Sequence, residues 1–161
     1  MTGPNLHRPE LDEQGDVDGF RWRGDSLAYK AGCEHLGASI YVVPPGEATF
    51  PYHYHVANEE LLIVLAGRPH LRTPDGWRQL DEGEVVAFPR GDGGAHQLQN
   101  RTDSDVRLLM VSEMRGPEIS VYPDSAKIGV REHAPGSGLE GLRLNFHADD
   151  ARDYWEGETP P

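Results

Sequence analysis

Apolar positions along the chain fall into short runs separated by turn residues, and their period is that of strands. Ala38 to Val43 combines β-branched and aromatic residues and stops sharply at Pro44-Pro45-Gly46. Leu61 to Leu65 is a second apolar run, and Arg68 to Thr73 predicts a third strand. Pro74-Asp75-Gly76 ends it, because proline presets φ and glycine accepts positive φ, so Trp77 to Leu80 returns as the other arm of a hairpin. Asp81 to Glu84 makes the next turn, and Val85 to Phe88 reads as a buried strand halted by Pro89. His96, Leu98 and Asn100 alternate onto one face, and Val106 to Val111 completes the core. No long helical periodicity interrupts this series, so the expected fold is an all-β barrel or sandwich. Leu61 to Leu65 and Leu108 to Val111 are apolar on both sides: one side fills the interior, and the other needs a cover from the N-terminal strand, the C-terminal segment or a twin subunit.

Both ends look different from this middle. Residues Met1 to Gly19 are rich in Pro, Gly, Asp and Glu and have little to bury, which predicts a mobile tail over 1–19. Phe20-Arg-Trp22 predicts a strand that closes a sheet or crosses to a partner subunit. The barrel is expected over 20–130, with Ile119 to Pro123 extended and Asp124 to Val130 a loop. A C-terminal extension over 131–161 follows, in which Ala134 to Gly138 is a flexible linker and Leu142 to Phe146, Tyr154 and Trp155 pack on the barrel exterior. No internal repeat suggests a second copy of the unit.

Composition narrows the class. At 161 residues the chain suits one domain with a real core. A hydrophobic content of 37% and a mean hydropathy of −0.62 are on the polar side. No apolar run approaches the roughly 20 residues of a membrane helix, and the N-terminus lacks a basic and then apolar leader, so a cytoplasmic protein without membrane contact is expected. A formal charge of −12 argues against a nucleic-acid partner, since that affinity rests on lysine and arginine. The single cysteine, Cys33, makes no internal disulfide and reads as a small core residue.

Candidate chemistry concentrates in one stretch. His53 and His55 are two residues apart and project from the same face of an extended segment, and a carboxylate, Glu59 or Glu60, enters the apolar run that follows. With His96 they make a set of imidazole and carboxylate donors suited to a divalent first-row metal. Three histidines and a carboxylate grouped without an ion would bury several polar groups unfavourably.

The two blocks Gly46 to Gly67 and Gly83 to Asn100 resemble the paired signatures of the cupin superfamily. In the first, His53-Tyr-His55 precedes Glu60, which stands six residues before Gly67, so the resemblance favours Glu60 over Glu59. In the second, Asp92-Gly93-Gly94-Ala95 places four residues between Gly91 and His96 where cupins commonly have two, which predicts a longer turn. More narrowly, Phe88 to His96, Tyr122 to Lys127 and Asp153 to Gly157 resemble a branch of single-domain bacterial cupins. The resemblance implies a double-stranded β-helix, or jelly-roll barrel, with flexible terminal extensions. It also implies one divalent transition metal (Zn, Ni, Fe, Mn or Cu) on His53, His55, Glu60 and His96, and a homodimer, for which the strand around Phe20 to Trp22 is the candidate exchanged element.

Four protein donors on a metal that accepts six leave two adjacent positions open. The expected function is therefore a metal-dependent enzyme acting on a small organic acid or carbonyl compound, of dioxygenase, isomerase, decarboxylase or lyase type. The alternative is a non-catalytic, metal-containing module that binds or senses a small molecule. Tyr52, Tyr54 and Gln97 alternate away from the site, Arg90 is expected to be solvated, and His7, His35, His70, His133 and His147 have no ligand spacing. No residue outside the ligand set is assigned a catalytic role.

Overall fold

The computed structural model describes residues 3–160, so Met1 and Thr2 of the expected tail and Pro161 of the expected extension lie outside the described residues. The order is β1 (Glu13–Val17), β2 (Phe20–Ser26), α1 (Leu27–Lys30), β3 (Leu36–Val43), β4 (Tyr54–His55), β5 (Glu60–Ala66), β6 (His70–Thr73) and β7 (Gly76–Gln79). It continues through β8 (Val85–Phe88), β9 (Gln97–Gln99), β10 (Val106–Glu113), β11 (Glu118–Tyr122), β12 (Lys127–Arg131) and β13 (Arg143–His147). The strands form a large sheet ordered β1-β2-β3-β10-β5-β8, a small sheet ordered β13-β12-β11-β4, and a three-stranded sheet ordered β7-β6-β9. This is the expected all-β jelly-roll barrel.

Alternation on the large sheet sends Val43, Leu62, Val64, Phe88, Val106 and Leu108 inward, where they meet Leu71 and Leu98 of the three-stranded sheet and Leu80. Leu62, Leu71, Leu80 and Leu108 are completely buried. On the outer side α1 contacts β3, and Ala28 and Ile40 are both buried. The N-terminal segment thus supplies part of the second cover that the two-sided strands require.

Several expectations need correction. The tail expected over 1–19 contains β1, which pairs with β2 along its whole length. The physical reason is Gly15, opposite Trp22: a Cβ there would lie 2.4 Å from the indole nitrogen, so glycine lets the Trp22 ring lie across β1. Trp22 in turn packs edge-on against Tyr41 and Phe50 of its own chain. Lys30 ties the preceding segment down through Glu10, Asp12 and the buried Asp25. The segment 124–130 is not a loop throughout. A 3-10 turn at Pro123–Ser125 leads into β12, and the small sheet runs past residue 130 to β13. Val85 and Ala87 of β8 are exposed rather than buried, because only Phe88 and Val86 reach the core. Cys33 is exposed, and Tyr154 and Trp155 pack edge-on against each other at 4.8 Å while remaining 81% and 72% exposed.

Candidate metal centre

His53 and His96 are brought together by backbone pairing: each donates its N–H to the other's carbonyl, at 3.1 and 2.9 Å. The lengthened turn before His96 closes as a 3-10 turn at Asp92–Gly94. Gly94 is required there, since a Cβ would stand 1.7 Å from the Pro89 carbonyl oxygen. His55 lies on β4, which pairs with β11, and Glu60 opens β5 of the large sheet. Side chains from the large and small sheets and from the turn before β9 therefore face one another at one end of the barrel.

The donor atoms converge. The Nε2 atoms of His53 and His55 are 3.1 Å apart, and Glu60 Oε2 is 3.4 Å from Nε2 of both His55 and His96. His53, Glu60 and His96 form the tighter group, with ligand atoms all within 4.8 Å of one another, and His55 completes it from the side of His53 and Glu60. Two neighbouring ligands with bonds of about 2.1 Å to one ion stand about 3 Å apart, so these spacings fit a metal. Glu59 is exposed, and its backbone N–H is bonded to Glu113.

The outer ring nitrogens decide which way the lone pairs point. His53 Nδ1 lies 2.8 Å from the Pro51 carbonyl and His96 Nδ1 lies 2.9 Å from the Gly94 carbonyl. Carbonyls only accept, so both Nδ1 atoms carry the proton and both Nε2 lone pairs face the centre. Stacking holds the rings: His96 lies on Phe88 with centroids 3.8 Å apart, and His53 lies on Tyr122 at 5.8 Å.

His55 has an acidic support that sequence reasoning missed. Its Nδ1 is 3.8 Å from Glu118 Oε1 and 3.5 Å from Ser120 Oγ. Glu118 is completely buried and accepts from the backbone N–H of Val56 and Ala57 and from the Asn58 amide. A carboxylate behind a histidine is the arrangement that orients a metal-binding imidazole and raises its basicity. The signal for it was present: Glu118 and Ser120 alternate with Ile119 and Val121, so an acid stands on the opposite face from the apolar pair.

The electrostatics follow from burial and neighbours. Burial, reinforced by His96 and His55, holds His53 well below the ordinary imidazole range. Burial also lowers His96, to about 4, against the pull of the Gly94 carbonyl. Burial lowers His55 too, but contact with Glu118 and the charge of Glu60 outweigh it, and the net shift is upward. Burial raises Glu60, partly opposed by His55. Glu60 Oε2 is buried with no hydrogen-bond partner, in the midst of imidazole lone pairs. A cation is what such a donor set accommodates, so the residues fit a divalent metal.

The centre opens into a cavity of about 720 Å³. Tyr41, Phe50, Leu98 and Met110 line its wall, and Tyr29 and the segment around Pro135 to Leu139 lie at its edge. Tyr52 is buried away from the centre under the Arg72 guanidinium, 4.0 Å from its ring. Arg90 pairs with Glu113, and Gln97 bonds the Phe50 carbonyl.

Residues 39–112 match the family described as Cupin domain. That segment is a cupin domain. The fold is shared with solved structures, two of them matched over nearly the whole chain. A protein of Acidithiobacillus ferrooxidans described as a candidate sugar phosphate isomerase is 22% identical, with 92% of this chain and 91% of that one covered at a TM-score of 0.79. A cupin of Silicibacter pomeroyi described as a sugar phosphate isomerase is 24% identical, with 93% and 95% covered and a TM-score of 0.77. A polyketide cyclase of Streptomyces resistomycificus is 22% identical, with 73% and 84% covered and a TM-score of 0.57. No curated protein sequence matches the chain. Among the described residues, no helix of this cupin is long and apolar enough to cross a membrane.

Proposed function

We propose that this cupin is a metal-dependent enzyme that holds one divalent transition metal ion on His53, His55, Glu60 and His96 and acts on a small organic acid or carbonyl compound in the adjoining cavity. The observation that supports this most is the orphaned Glu60 Oε2 atom, buried 3.4 Å from two imidazole nitrogens with no donor to satisfy it. A bound ion with open positions would supply Lewis acidity, polarising a carbonyl or acidifying water.

The chain's own groups would do the rest. Glu118 and Ser120 hold the His55 ring, while the Pro51 and Gly94 carbonyls hold His53 and His96. The Tyr41 hydroxyl is pushed up to about 12 by burial, so it keeps its proton and can donate to a substrate oxygen in the cavity. Phe50, Leu98 and Met110 give the cavity wall an apolar surface. Among the four reaction types considered, isomerisation of a hydroxycarbonyl compound is favoured. Unlike dioxygenation it needs no second substrate, and it is favoured over the other two types because the two structures matched over more than nine-tenths of this chain are described as sugar phosphate isomerases, one of them as a candidate.

Elemental analysis of protein purified without chelators or a histidine tag is the first test. About one equivalent of metal is expected, and unchanged metal content in the double variant His53→Ala/His55→Ala would refute the ligand set. Small hydroxycarbonyl acids are then followed by NMR with the metal-loaded protein. Consumption supports the enzyme, whereas binding with every compound recovered unchanged makes the protein a binding module.

We also propose a homodimer. The outward face of the small sheet carries two apolar rows, Val56-Ile119-Val130-Leu144 and Tyr54-Val121-Ile128-Phe146, running across all its strands. Leu144 and Phe146 are 50% and 37% exposed, and β13 is an edge strand. A second copy laid on this face would cover both. The strand β2 pairs with β1 and β3 of its own chain, so the outward face and not an exchanged β2 supports the pairing.

A further inference from the structure

The inward face of the small sheet carries more than a candidate ligand. The registers Glu118↔Arg131 and Arg131↔Arg143 continue the face of Glu118, Ser120 and His55 across β12 and β13. Arg131 and Arg143 are therefore direct cross-strand neighbours on the cavity side, and both line the cavity that contains the four candidate ligands. Like charges directly opposite each other on one face repel.

The carboxylate placed to compensate Arg131 is Glu118, but that group is committed to the backbone of Val56 and Ala57, the Asn58 amide and His55. Arg131 Nε is left buried with no hydrogen-bond partner. Other arginines of this chain are treated differently: Arg21 pairs with Glu47, Arg72 with Asp124, Arg78 with Glu84 and Arg90 with Glu113. Two arginines in cross-strand register on one cavity wall, in a chain of net charge −12, bring together fork donors of the kind that take an oxyanion bidentately.

We propose that Arg131 and Arg143 form an anion subsite that holds a phosphate or carboxylate group at one end of the substrate while its other end reaches the His53/His55/Glu60/His96 centre. β12 lies two strands from β4, about 10 Å across the sheet, and the arginine side chains shorten that span. The substrate class is thus a small hydroxycarbonyl compound with an anionic group a few carbons from the reacting oxygen. This assignment deepens the proposed function and rests on the cavity being its substrate site.

The test is calorimetric titration of the protein as purified with inorganic phosphate and, separately, with acetate, alongside elemental analysis. Binding of at least one anion is expected, with phosphate the tighter if the subsite serves phosphate esters and acetate if it serves carboxylic acids. Arg131→Gln and the more exposed Arg143→Gln should each weaken that binding at least tenfold while metal content stays as in the native protein. Arg131→Lys should restore part of it. Native protein that binds neither anion at millimolar concentration overturns the subsite, as does undiminished binding in both glutamine variants. The metal reading fails separately: protein that holds no metal yet binds an anion through Arg131 keeps the subsite and loses the metal centre.

Discussion

The large and small sheets use the same alternation to opposite ends. On the large sheet the apolar side faces in, and Leu62, Val64 and Leu108 are at most 1% exposed. On the small sheet the polar side faces in, with His55, Glu118, Ser120 and Arg131, while Ile119, Leu144 and Phe146 face out and are at least 37% exposed. The barrel therefore has a dry half that stabilises it and a half lined with donors and charges. Most of the apolar burial thus comes from the large sheet, whose Glu60, at the start of β5, joins the donors of the small sheet and of the His53–His96 pairing. A wall of buried polar groups is tolerated where each has a partner or a ligand, and the large sheet supplies the apolar burial that offsets it.

The sharpest break in this contrast comes from truncation on the two sheets. Leu108→Ala should cost about 2–5 kcal/mol in urea unfolding, as expected for a fully buried leucine. Leu144→Ala on the small sheet should cost less than about 1 kcal/mol under dilute, monomeric conditions. Equal losses would mean that the outward face is covered within a single chain.

Acid should act on the buried histidines of the centre. In metal-free protein His96 is lowered to about 4 by burial, so the unfolded chain takes up its proton first as pH falls. Its contribution is full above pH of about 6.5, the ordinary histidine value, and is lost on the way down to about 4. Wild type should accordingly lose roughly 3 kcal/mol relative to His96→Gln between pH 7 and 4, read from paired urea melts. A pH-independent difference between the two would contradict the buried, neutral imidazole.

Glu118→Gln keeps the shape of the side chain and removes the charge behind His55. Metal affinity, measured by chelator competition, should fall about 10- to 100-fold, and an unchanged affinity would remove Glu118 from the support of the centre. Leu144→Asp with Phe146→Asp should turn a dimer into a monomer by light scattering with metal content unaltered. A dimer that persists points to the outer face of the large sheet. The smallest effect is expected at the C-terminus, where Tyr154→Ala and Trp155→Ala should each change stability by no more than about 0.5 kcal/mol, since both rings are solvated.

Much of the barrel was legible because its strands are local signals. Ala38 to Val43, Leu61 to Leu65 and Val106 to Val111 each lie within an observed strand, and Pro74-Asp75-Gly76 turns where it should. The set His53, His55, Glu60 and His96 could be named from spacing and family resemblance, and the four side chains do meet. Glu118 was not found because its relation to His55 spans 63 positions: the alternation of β11 marks an acid opposite an apolar pair but does not say which residue that acid meets. β1 was missed because its acidic residues look like a tail, and only Trp22 lying over Gly15 makes a strand of them. Tyr154 and Trp155 were expected to be covered on hydrophobicity alone, and the chain leaves them exposed.

By itself the sequence determined the period of each strand, the turns between them and the residue types able to bind a metal, because these depend on neighbours a few positions away. Period-two alternation defines two faces without saying which one lies inside. That was decided by how the sheets close on one another. Closure buried Leu62 and Leu108 on one wall, turned Ile119 and Leu144 outward on the other, and left Arg131 beside Arg143 in the cavity while Glu118 was committed to the loop over residues 56–58.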